Sequence, residues 1–145
     1  MQIEDFVIRP RDSVRERELA RRLRELPEED RFTFIYNVLE KDPEVGLVLA
    51  NTCLRDKKYF QAVLDHGLKK GGAGSIEIWL KCVIPKLGFR KVLQSVTDKL
   101  SSEPRGVENA AYWLWVLRPK DDEATRERLL KLNDLLREQG LRTPF

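Results

Sequence analysis

Apolar residues return every three or four positions along nearly the whole chain, and the strict alternation of a half-buried strand is scarce. Residues 1–11 read as an arm carrying Ile3, Phe6, Val7 and Ile8. Asp12 or Ser13 then caps a first helix, and Ser13 with Glu16 has the capping-box spacing. Leu19, Leu23 and Leu26 form its buried stripe up to Pro27. Pro27 followed by Glu28, Glu29 and Asp30 opens a second helix, with acids against the positive end of its dipole. Asp42-Pro43-Glu44-Val45 opens a third in the same way, running to about Leu54. A fourth holds Tyr59, Phe60, Val63, Leu64 and Leu68 and stops at Lys69-Lys70-Gly71-Gly72.

Ser75 caps a fifth helix, which Pro85 bends or ends before Gly88. Phe89, Val92, Leu93, Val96 and Leu100 mark a sixth. Pro104 opens a seventh that runs through Leu117 and is closed by Pro119. Residues 121–139 form an eighth, with Leu129, Leu132, Leu135 and Leu136 inward, and Gly140 stops it. The expected class is therefore all-α, with about eight helices in a single domain over residues 1–145.

A shift of 30 residues lays one helix pair on the next. Ala50 falls on Leu80, Leu54 on Ile84, Tyr59 on Phe89, Ala62 on Val92 and Val63 on Leu93. Antiparallel pairs at that period predict a stacked α-solenoid, each pair burying itself against its neighbours. A closed up-and-down bundle is the alternative, since it has the same short loops and amphipathic helices.

Two stretches carry a family likeness. Asp42-Pro43-Glu44-Val45, followed by Ala50 and Leu54, resembles the opening of a HEAT-like repeat. Asp12-Ser13-Val14-Arg15, followed by Ala20 and Leu23, echoes it. In both, the alanine sits one place late against the usual spacing. A turn aspartate falls at Asp56 or Asp122, while the middle pair has Gly88 at that point. The resemblance implies stacked helix pairs serving as a binding scaffold, with some relatives acting on nucleic acid. It implies no chemistry.

Composition sharpens this picture only in places. Leu, Val, Ile and Phe make up about 30% of the chain, enough for a core. Charged residues reach 35%, yet the net charge is only +3, which fits a well-solvated surface and no polybasic tail. No apolar run approaches a membrane span and no signal-like N-terminus is visible, so a cytoplasmic protein without membrane association is expected. Cys53 and Cys82 are too few for a disulfide framework.

Chemistry is sparse. Cys53, His66 and Cys82 lack the close ligand pair of a zinc site, and both cysteines lie in apolar helical stretches. The single histidine has no Gly-x-Ser-x-Gly elbow to serve. Carboxylates cluster at helix starts, where capping explains them. These residues point to a non-enzymatic protein with no cofactor and no metal.

The basic residues are uneven. Residues 55–100 hold ten Lys and Arg against four acids, a segment charge of +6 that leaves −3 on the rest. Such asymmetry marks either helix solvation or a surface for phosphates or an acidic partner. Lys69-Lys70-Gly71-Gly72-Ala73-Gly74-Ser75 reads as a glycine helix stop with a loop, or as an anion site at a helix start. Arg17, Arg21 and Arg24 form a basic stripe opposite the first helix's leucines, with Glu18 and Glu25 placed to pair with Arg22 and Arg21. Tyr112, Trp113 and Trp115 make the seventh helix apolar nearly all round. Burial is the simpler reading of such a helix, and a partner groove around Tyr112 is the functional one.

The leading expectation is a scaffold for a macromolecular partner, a protein. Nucleic-acid or phosphate binding through the basic segment is the second. The candidate contact residues are Lys69, Lys70, Lys81, Lys86, Arg90, Lys91 and Tyr112.

Overall fold

Prolines and aspartates open the helices much as their positions demand. A computed structural model describes residues 13–70 and 76–144. It is all-helical: helices take up 80% of what is described, and no strand occurs among those residues. Eight helices follow in order among the described residues: α1 (Ser13–Leu23), α2 (Glu28–Lys41), α3 (Pro43–Cys53), α4 (Lys57–Lys70), α5 (Ile76–Leu87), α6 (Phe89–Asp98), α7 (Pro104–Leu117) and α8 (Glu123–Glu138). The chain divides into two compact units, Met1–Phe60 and Gln61–Phe145, the division falling within α4.

In the first unit α3 packs on both α1 and α2. Leu19, Leu23, Ile35, Leu39, Leu49 and Ala50 are fully or almost fully buried. Asp42 is the N-cap of α3, and its buried carboxylate accepts the Val45 backbone N–H at 3.3 Å. That bond satisfies one of the amides a helix start leaves open. Gly46 lets α2 and α3 close, because a Cβ there would lie 2.9 Å from the Leu39 backbone nitrogen.

One arginine ties this unit together. Arg31 donates to the carbonyls of Leu26 (2.8 Å), Arg24 (3.1 Å) and Cys53 (3.1 Å). It thereby explains a departure from the sequence reading, which carried the first helix to Leu26. The helix stops at Leu23, and Arg31 takes up two of the carbonyls of the turn that follows. Pro27 is correspondingly the N-cap of α2 and not its first residue. Glu28 reaches across to accept the N–H groups of Arg55 and Asp56. Phe32 stacks on Tyr59 with ring centroids 4.7 Å apart.

In the second unit α7 packs against α5, α6 and α8, and α6 against α5 and α8. Pro85 neither ends nor divides α5, which continues to Leu87. The break comes at Gly88, whose φ of 89° suits glycine, and which is the N-cap of α6. Gly106 on α7 lies against the Leu68 carbonyl so closely that a Cβ would overlap it. Trp79 is buried with His66 beside it, ring centroids 5.6 Å apart. Leu135, expected inward on α8, is 39% exposed, whereas Leu129, Leu132 and Leu136 are buried as their spacing requires.

Three side-chain bonds in this unit join residues of nearly constant separation. Ser95 donates to Gln61 at 3.2 Å, 34 positions away. Arg90 grips Asp122, 32 positions on, at 2.9 and 3.0 Å. Arg142 donates its backbone N–H to Glu108, 34 positions back, at 2.7 Å.

Candidate docking face on the seventh helix

The sequence of α7 is apolar on nearly every side, and the fold covers only part of it. Val107, Ala110, Ala111 and Leu114 face inward and are buried. Tyr112 and Val116, one turn apart, stand on another side of the helix at 52% and 46% exposure. Burial all round, the simpler sequence expectation for this helix, is corrected at these two positions. The neighbours of α7 cover one broad face, and no element among the described residues of this unit covers the Tyr112 side. Trp113 is half-buried and meets the Tyr112 ring edge-on, centroids 5.2 Å apart at 84°. Edge-to-face pairing is a favoured aromatic geometry, and it holds the Tyr112 ring in place.

The segment after α8 builds the opposite wall. Gly140, at a φ of 70°, turns the chain, and the Leu141 N–H donates to the Leu136 carbonyl at 2.9 Å. Arg142 then locks onto α7: its backbone N–H goes to Glu108, and its guanidinium donates to Asn109 at 3.0 Å. Its Nε lies 3.5 Å from the other Glu108 oxygen. Thr143 and Pro144 follow, outside any helix, and with Tyr112 and Trp113 they line a groove of about 380 Å³. The Glu108 and Arg142 charges pair with each other in its lining, beside the Tyr112 and Trp113 rings. Further along α7, the Arg118 guanidinium lies 3.7 Å from the centre of the Trp115 ring.

The basic candidates stand in different local settings. Lys69 and Lys70 are exposed at the end of α4. Lys81 is paired with Glu77 at 2.7 Å. Lys86, half-buried on α5, lies about 140° around the helix from Lys81 and near Cys82. Arg90 is held by Asp122 and also donates to the Thr125 hydroxyl at 3.3 Å. Lys91 is exposed beside it on the first turn of α6. The Gly71–Ser75 stretch, the Asp12 cap and the Ser13 side chain lie outside the described residues. On α1, Glu18 takes both Arg22 (3.2 Å) and Arg21 (3.9 Å).

Titration behaviour fits structural roles for the thiols and for Asp122. Burial raises the Cys53 thiol, opposed by the charges of Arg24 and Arg31. Burial pushes Cys82 up to about 11, against the pull of Lys86. Asp122, the N-cap of α8, is drawn down to about 2. The Thr125 hydroxyl bond contributes most, then the Thr125 N–H, then Arg90. No group of three His, Cys, Asp or Glu able to hold a metal occurs among the described residues. No helix there is long and apolar enough to cross a membrane.

Comparison with protein-family models, with curated proteins and with solved structures returns no match to this chain.

Sequence reasoning reached Tyr112 but missed Glu108, Asn109 and Arg142. Their separation of 33–34 residues is close to the helix-pair period, but the period alone does not say which polar side chains meet across it. The one usable signal was Gly140, whose turn returns the last residues toward the preceding helix.

Proposed function

We propose that this chain is a non-enzymatic helical-repeat scaffold that holds a partner protein on the Tyr112 side of α7, in the cytoplasm. The observation that carries the reading is a tyrosine more than half exposed, fixed by an adjacent tryptophan at the side of a groove. Tyr and Trp supply large contact area at low entropic cost, and they dominate binding hot spots. The occupant is an extended segment of the partner. The chain's own Thr143 and Pro144 already lie along this groove outside any helix, anchored through a backbone N–H on Glu108. The 32–35-residue spacing of the bonds from α4 to α6 and from α6 to the start of α8 supports the repeat architecture.

Affinity capture from native lysate, with and without nuclease, tests this when wild type is run beside Tyr112→Ala and Lys69→Glu/Lys70→Glu. The reading expects a defined protein that survives nuclease, is lost from Tyr112→Ala and is kept by the lysine variant. Loss of all captured material on nuclease treatment, or to the lysine variant alone, assigns the function to nucleic-acid binding through the basic segment.

A further inference from the structure

Val48 is an exception on its helix. Val45, Leu47, Leu49, Ala50 and Cys53 of α3 are buried, while Val48 is 40% exposed at a groove between α1 and α3. Ala20 and Leu49 form the floor beside it, and the groove measures about 450 Å³. Val14, 64% exposed, stands on the groove side of α1, within about 20° of the lining residue Arg21 at 100° per residue. The chain that leads into α1 is itself apolar. Residues 1–12 lie outside the described residues, and Ile3, Phe6, Val7 and Ile8 crowd the stretch from 3 to 8.

We propose that this groove receives the chain's own N-terminal arm, with Phe6 and Ile8 against Val48 and the floor. Reach fixes the occupant. An extended chain covers about 3.3 Å per residue, so the steps from Ser13 back to Ile8 span up to about 17 Å and those to Phe6 about 23 Å. Along α1, at about 1.5 Å per residue, Ala20 lies about 10 Å and Leu23 about 15 Å from Ser13. The surplus serves a reversal of direction, and Arg9-Pro10-Arg11-Asp12 has its proline where a turn favours one. Alternation along an extended segment puts Phe6 and Ile8 on the same side. Tethering favours the arm over other occupants, since a short linker gives an effective concentration of about millimolar, which a second copy or a separate protein has to exceed. The contact is apolar, so Arg21 and Arg22 keep Glu18 as their partner.

Photo-cross-linking in the full chain tests this, with benzoylphenylalanine in place of Phe6, dilute protein, and the joined peptides identified by mass spectrometry. The expected product has the mass of a single chain and joins residue 6 to the groove, within 16–24 of α1 and its following turn or 48–52 of α3. Thermal melts give a second reading that does not depend on the photo-reactive ring. Val48→Ser should lower the melting temperature by about 2–4 °C in the wild-type background. In a Phe6→Ser/Ile8→Ser background the same change should cost less than about 1 °C, because residues in contact are not additive. Serine at each position adds no charge beside the arginines. Tyr112→Ala should leave the cross-link in place, which separates this groove from the α7 face. A cross-link to another segment, no cross-link within the chain, or equal shifts from Val48→Ser in both backgrounds overturns the proposal. Two chains joined at the same residues overturn it in favour of arm exchange between copies.

Discussion

Asp122 carries three jobs with one carboxylate. It caps α8 through the Thr125 N–H, accepts the Thr125 hydroxyl at 2.7 Å and grips Arg90 from α6. All three favour the charged form, so the folded carboxyl titrates near 2, below the ordinary 3.8. Its contribution to stability is complete above about pH 4 and is lost as the pH falls from there through 2. Asn caps a helix nearly as well as Asp but cannot form the ion pair, so Asp122→Asn removes the charge and keeps the cap. The melting temperature of wild type should exceed that of Asp122→Asn at pH 6, and the gap should narrow as the pH falls below about 4 and close only below about 2. A gap that persists unchanged would show that the ion pair contributes nothing. Cys82 makes a simpler case. A thiol pushed up to about 11 has almost no thiolate at neutral pH. The folded protein should therefore react with a thiolate-selective reagent far more slowly than the same chain in denaturant.

At the scale of the helices, most of the fold was legible because punctuation and period agree. Asp42-Pro43, Pro104 and Asp122 cap or open helices in the way their side chains dictate. The errors have local causes that no periodicity contains. Helix α1 ends early where Arg31, from the next helix, takes the carbonyls of the turn. Pro85 is accommodated two residues before α5 would end in any case. Gly106 illustrates what packing adds: its place on α7 reads as a weak helix former, while the structure needs it for the approach to Leu68. Gly106→Ala should lower the melting temperature even though alanine favours a helix by about 1 kcal/mol. A rise would mean that the backbones yield. On the aromatic residues, Trp79→Ala should cost about 3–5 kcal/mol as a fully buried ring, and Tyr112→Ala about 0.5 or less. Equal large losses in denaturant titrations would remove the case for an open face on α7.

For the molecule as a whole, the sequence indicated the class of surface more readily than its location. The +6 charge of residues 55–100 drew attention to six cations, of which the fold holds Lys81 and Arg90 in ion pairs. Binding to a duplex at low salt should accordingly be weak. It should fall by about 0.9 log units per decade of salt for each phosphate contact, and show no sequence preference. The Tyr112 groove needed residues from α7 and from the end of the chain, a pairing set by how α7 and α8 pack. The central claim is that this groove receives a protein, and a photo-reactive residue tests it directly. With benzoylphenylalanine in place of Tyr112, irradiation in native lysate should yield one defined, nuclease-resistant protein adduct. The same residue in place of Glu127, exposed on α8, should yield none. Equal adduct patterns from the two positions, or adducts that vanish with nuclease, would contradict the account.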